Sequence, residues 1–197
     1  MIKLFFIHLF DFFLLDALYL LLFYSKWKRK GKAVFSRRTA FFVYITLVLH
    51  LTLMPFRIPV PQWGDREFLK TVNLTPFADI AEGADFAWGG TLLNVAMLMP
   101  FGWLLAAERT GKPDIPFGKE PERKWKGGFI KTILWSALFS LSIELTQLLY
   151  VWADSTSSRR CDITDFITNT AGGALGYIAW KIVCRISDFC KKGRHHV

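Results

Sequence analysis

The 197-residue chain is 52% hydrophobic, has a positive mean hydropathy, and still carries a formal net charge of +9. Its basic residues are gathered into blocks between long apolar runs, a pattern of integral membrane proteins that excludes a separate soluble domain in so short a chain. The same placement argues against nucleic-acid binding, because the positive blocks sit where topology signals belong.

In chain order the apolar runs are Leu4 to Tyr24, Arg38 to Ile58, Trp88 to Ala107, Phe129 to Trp152 and Ile163 to Arg185. Each is close to the twenty or so residues that cross a hydrocarbon core as helix. The expected fold is therefore an all-α membrane protein with five transmembrane helices. Lysines and arginines crowd the loops Ser25 to Arg37 and Glu108 to Gly128 and the tail after Ser187. Positive-inside bias puts all three in the cytoplasm, so the N-terminus lies outside and the C-terminus inside. The first run is too long for a signal-peptide core and lacks a small-residue cleavage site, so it is expected to stay attached. Cys161 falls outside while Cys184 and Cys190 fall at the inner face, so no intrachain disulfide is expected.

Several polar groups interrupt these runs. His8, Asp11 and Asp16 sit in the first, where a central unpaired carboxylate costs about 2.5–3.5 kcal/mol on insertion scales. They are expected to pair with neighbouring helices. His50 lies in the outer half of the second run, as a structural hydrogen-bonding group or a proton acceptor. In the following outer loop, Asn73-Leu-Thr-Pro-Phe77 reads as the start of a short helix, with Thr75 as cap and Pro76 at its first position. The acidic residues around it read as a solvated face. The third run carries Asn94 and a Pro100-Phe101-Gly102 kink, which either opens a cavity or adjusts packing. The loop after Glu108 is expected to be an exposed connector. There is no phosphate-binding glycine loop, paired-cysteine metal site or serine nucleophile elbow.

The densest polar signal is a seam across the last two runs. Glu144 and Gln147 share a helix face, while Asp162, Asp165 and Asn169, spaced by three and four, form a stripe that Gly172, Gly173 and Gly176 continue. The glycines permit close helix approach. At the helical rise, Glu144 lies about 12 Å below Trp152, Asn169 about 10 Å below Asp162, and Asn94 about 9 Å below Trp88. Three helices thus place polar groups at similar depth. Carboxylates this close repel unless protonated, bound to a cation or paired with arginine, and Arg159 and Arg160 are nearest. The bland alternative is an N-cap at Asp162, packing glycines, and a Glu144–Arg160 pair.

Taken together, Asn73-Leu-Thr-Pro-Phe77, Asn94 with Met99-Pro-Phe-Gly102, Glu144-x-x-Gln147, and Arg160-x-Asp162-x-x-Asp165-x-x-x-Asn169-Thr-x-Gly172 followed by Gly176 resemble the VanZ-like family of bacterial membrane proteins. The resemblance implies a multi-pass protein of the cytoplasmic membrane, tied through the founding member to resistance against teicoplanin-type glycopeptides. It divides the chain into an extra N-terminal helix and basic loop (1–37), a VanZ-like membrane domain (38–185) and a basic cytoplasmic tail (186–197). Our expectation is an extracytoplasmic pocket lined by Asn73, Asn94, Glu144, Gln147, Arg160, Asp162, Asp165 and Asn169, with Pro76, Pro100, Gly102 and the later glycines shaping it. Its partners are expected to be membrane lipids or a lipid-linked cell-wall precursor. Two other readings use the same residues. One is a membrane-embedded enzyme with Glu144, Asp162 and Asp165 as acid–base groups, or as ligands for Mg²⁺ or Ca²⁺. The other, which also draws on the first run, is a proton-coupled transporter with Asp11, Asp16 and Glu144 as its relay. Apart from that divalent cation, no cofactor is expected.

Overall fold

The computed structural model describes residues 14, 16–53, 67–84, 87–110, 127–153 and 159–193. Of the first predicted segment it covers the last part, where a π-helical turn (Leu20–Tyr24) leads into one turn of helix, α1 (Ser25–Lys28). Aromatic contacts bind this part to the next helix, with Tyr19 4.9 Å from Phe42 between ring centroids. Asp16 is exposed, while His8 and Asp11 lie outside the described residues.

Four long helices make the body: α2 (Lys32–Leu53), α4 (Ala87–Thr110), α5 (Gly128–Ala153) and α6 (Ile163–Gly193). Among the described residues, α2, α4 and α5 each contain a stretch long and apolar enough to cross a membrane. Helix α6 is longer and continuous, but Asn169, Thr170, Gly172 and Gly173 make its sequence less apolar. The second predicted segment begins earlier than its apolar run, at Lys32. The reason is tertiary: Arg37 and Arg38, on that basic turn, both pair with Glu108 at the far end of α4, at 2.5 and 2.8 Å.

The chain directions follow from such contacts. Arg37 and Arg38 at the start of α2 meet Glu108 at the end of α4, so these helices run antiparallel. Ser140 of α5 meets Asn169 of α6, and Ser136 lies against Gly173, which makes that pair antiparallel too. Helices α4 and α6 run parallel, with Val95 against Gly172 and Met99 against Gly176. A Cβ at Gly102, Gly172 or Gly176 would run into a backbone carbonyl of the facing helix, and one at Gly173 into the Ser136 hydroxyl. Glycine is required there because the helix axes approach until backbones touch.

The apolar core lies among α2, α4 and α5, where Val48, Leu53, Leu98, Phe101, Leu105 and Ile143 are buried. Phe101 stacks on Phe139 at 4.9 Å and 11°. A smaller cluster of Ala106, Ala107, Trp180 and Cys184 closes the α4–α6 contact at the opposite end from Asn94. Many leucines point outward, among them Leu47, Leu51, Leu93 and Leu149. Helices apolar on several faces suit a surround of lipid better than water.

Two short strands complete the fold. β1 (Val72–Asn73) and β2 (Cys161–Asp162) pair in parallel, Val72 with Cys161 and Asn73 with Asp162. One turn of helix, α3 (Ala78–Ala81), follows β1. The expected start of that helix is displaced. Pro76 sits in the turn before it, and Phe77 precedes it in a left-handed conformation with φ 58°. Thr75 gives its backbone N–H to the Asn73 side chain at 3.0 Å, a turn that competes with capping.

Candidate functional site

The polar groups gather at the end of the bundle opposite the Arg37–Arg38–Glu108 cluster, and Asp162 is their hub. Its Oδ1 accepts the N–H of Thr164 at 2.7 Å, capping α6, and its Oδ2 accepts Asn73 Nδ2 at 2.9 Å. Its own N–H donates to Glu144 Oε2 at 2.9 Å. The N–H of Phe77 reaches Thr164 Oγ1, also at 2.9 Å. Thus the 72–77 segment is laid across the start of α6, and Glu144 holds the strand that delivers it.

Around this hub all four long helices contribute contacts. Asn94 of α4 donates to Asp165 Oδ1 at 2.6 Å. Asn169 donates to Ser140 Oγ at 3.2 Å. Gln147 Nε2 donates to the carbonyl of Thr52 at 3.2 Å, and the Arg159 guanidinium donates to the same oxygen. That carbonyl lies in the last turn of α2, where the helix dipole favours a cation. Arg159 also stands 5.1 Å over the Tyr150 ring. Burial pushes Arg159 below its ordinary value, and Tyr150 opposes that shift.

Arg160 does not pair with Glu144. It bonds Asp79 at the start of α3, at 3.1 Å, with side chains 58% and 42% exposed. Of the outer-loop acids read as a solvated face, Asp79 thus has a partner while remaining partly exposed. The surroundings of Cys161 disfavour its thiolate. Burial is the largest influence on it, and the carboxylates of Glu144, Asp162 and Asp165 add to it, all pushing its thiol up.

A cleft of about 940 Å³ opens between α2 and α4 and ends at this polar cluster. Leu47, Val48, Leu51, Leu93 and Met97 form its apolar walls, and Asn94, Gln147, Arg159, Arg160, Asp162 and Asp165 its polar end. Pro100 also lines it, together with Ala96, whose carbonyl would bond the amide that proline lacks. Tyr44 OH donates to the neighbouring Met97 carbonyl at 2.6 Å. The proline therefore does border a cavity. A second cleft of about 420 Å³ lies under α3, lined by Phe77, Ile80, Gly90, Thr91 and Thr164. The two share Asp79, Arg160, Asp162 and Asp165.

Five of the eight expected pocket residues, Asn94, Gln147, Arg160, Asp162 and Asp165, line the larger cleft. Glu144 and Asn169, 3% and 2% exposed, lie behind its wall, and Asn73 is turned to Asp162, so none of the three lines either cleft. Arg159 and the Thr52 carbonyl belong to the site although residue type alone did not single out Thr52. No group of three His, Cys, Asp or Glu side chains among the described residues is arranged to hold a metal ion. The carboxylate oxygens of Asp162 are instead engaged by an amide side chain and a backbone N–H.

The family model described as VanZ-LLP1: VanZ/LLP1 matches residues 41–184. No curated protein and no solved structure matches the chain.

Proposed function

The chain belongs to the VanZ/LLP1 family, and from that premise we propose that it binds an amphiphilic molecule of the bacterial envelope, head at the Arg160 cluster and chain along the α2–α4 cleft. One observation carries this reading. The cleft joins a charged, hydrogen-bonding end to walls whose Leu47, Leu51 and Leu93 are 48%, 66% and 70% exposed, so its side is open where lipid would stand. Arg160 holds an anionic group such as phosphate, while Asn94 and Gln147 offer amides to sugar or peptide groups. Glu144, Asn73 and Asn169 act one layer back by holding the groups that touch the ligand. Binding needs no metal ion.

The remaining topology follows the same proposal. Helix α6 runs parallel and in backbone contact with α4, so it crosses whatever α4 crosses. With the first segment this makes five spans in the cytoplasmic membrane, N-terminus out. The polar cluster then faces the extracytoplasmic side, where lipid-linked cell-wall precursors are exposed and where teicoplanin-type glycopeptides act.

Native mass spectrometry of the full chain with co-purified lipid tests the reading. An envelope lipid retained by wild type, depleted about tenfold in Arg160→Ala and kept in Glu144→Gln, is the expected result. Equal retention in wild type and Arg160→Ala would overturn it.

A further inference from the structure

The charges at the junction of the two clefts restrict which head fits, an inference that rests on the amphiphile reading above. The charged side chains lining the larger cleft are Arg159 and Arg160 against Asp79, Asp162 and Asp165. Arg159 is engaged by the Thr52 carbonyl and lies over Tyr150, so Arg160 is the cation presented at the junction. It already has a partner in Asp79. Exposed ion pairs of this kind contribute little net stability, so both members can exchange partners cheaply.

An anion that takes Arg160 alone releases Asp79 beside Asp162 and Asp165, which line the same junction. Three carboxylates would then face a new negative charge with one arginine among them. Like charges brought together in a partly desolvated cleft are a penalty against such a ligand. A head that carries its own cation removes that penalty by giving Asp79 a replacement partner.

We infer that the ligand's head is zwitterionic, a phosphate beside a primary ammonium, with the phosphate on Arg160 and the ammonium on Asp79, each replacing one half of the Arg160–Asp79 pair. The chemical class is that of an ethanolamine phospholipid or an aminoacylated phospholipid. The two clefts sharing Asp79 and Arg160 place this exchange where the lipid-open cleft meets the one under α3. No bond is made or broken.

The test equilibrates the full chain with equimolar phosphatidylethanolamine and phosphatidylglycerol of matched acyl chains and reads the retained lipid by native mass spectrometry. Wild type should retain the ethanolamine lipid in about tenfold excess. Asp79→Asn should erase that excess, losing ethanolamine lipid and gaining glycerol lipid, and Arg160→Ala should lose both. Equal or reversed preference in wild type, with retention still dependent on Arg160, would overturn the zwitterion inference and leave the amphiphile reading standing. An intact preference in Asp79→Asn would do the same. Retention that is identical in all three proteins would sink both. Displacement by soluble phosphoethanolamine at equal concentration would show that acyl chains are not read, and would overturn the lipid assignment. Both side chains are exposed, so neither substitution threatens the fold.

Discussion

Helix α4 makes two very different contacts. Against α6 its backbone meets backbone, with Gly102, Gly172 and Gly176 in places where a Cβ would strike a carbonyl. Against α2 it stands off, leaving a cleft of about 940 Å³ along Leu47, Leu51, Leu93 and Met97. The second contact joins a shared apolar core, Val48 and Leu53 with Leu98, Phe101 and Leu105, to a few polar ties: Arg37 and Arg38 on Glu108 at one end, and Tyr44 on the Met97 carbonyl midway. At the other end Gln147 and Arg159 fasten α2 to α5 and its following loop through Thr52. Two helices locked by backbone contact give the polar cluster a fixed floor, while α2 forms a wall held by side-chain packing and a few hydrogen bonds. Backbone-to-backbone packing leaves less room for displacement than side-chain contacts do.

Substitutions on the two sides should separate these roles. The largest effect is expected from Gly176→Leu, which puts a side chain against the Met99 carbonyl and the Trp103 amide. Overpacking against backbone should destabilise by about 3 kcal/mol or more. Gly89, with nothing within 4 Å of a Cβ, should accept alanine without loss. Thermal unfolding in detergent checks both, and a stable Gly176→Leu protein would show that the close contact is not what holds α4 to α6.

On the open side, Tyr44→Phe removes the bond to Met97 but keeps the ring. The expected loss is about 0.5–1.5 kcal/mol. The same unfolding measurement gives its size, and an effect as large as that of Gly176→Leu would erase the distinction between the two walls. Lipid retention should respond more than stability, because the bond spaces the cleft.

The smallest effect concerns pH. Cys161 lies behind the cluster with its thiol pushed up by burial and by nearby carboxylates. Its maleimide labelling should therefore stay slow through the ordinary thiol range and accelerate only at higher pH. Because the folded value is raised, any stability linked to this group is complete below the unfolded thiol pKa and declines as pH rises through the folded one. Asp165→Asn removes one of those charges and should move the labelling curve to lower pH. An unshifted curve would mean that the Asp165 carboxylate does not act on the thiol.

Much of the site could be read from residue type. Asn94, Gln147, Asp162 and Asp165 are expensive in or beside apolar helices, so each needs a partner, and helical spacing put Asp162 and Asp165 on one stripe and Asn94 at the depth of Glu144 and Asn169. The glycines announced a close contact for the same reason. What could not be read was which partner each group takes. Glu144 looked like the mate of Arg160, yet it receives the Asp162 amide. Arg160 instead found Asp79, eighty-one positions away in sequence. No spacing rule links residues on separate loops, because strand pairing of Asn73 with Asp162 is what brings those loops together.

The amino-acid sequence by itself determined that this is a helical membrane chain with a polar cluster at one end, since hydrophobic runs and the cost of burying polar groups are local properties. Tertiary structure alone decided the rest. The parallel α4–α6 contact brings backbone to backbone, whereas α2 meets α4 through side chains of the shared core and leaves the cleft beside it. The same packing sends Glu144 and Asn169 behind the wall and leaves Arg160 and Asp165 on it, because which face of a helix is covered depends on its neighbours rather than on its own residues.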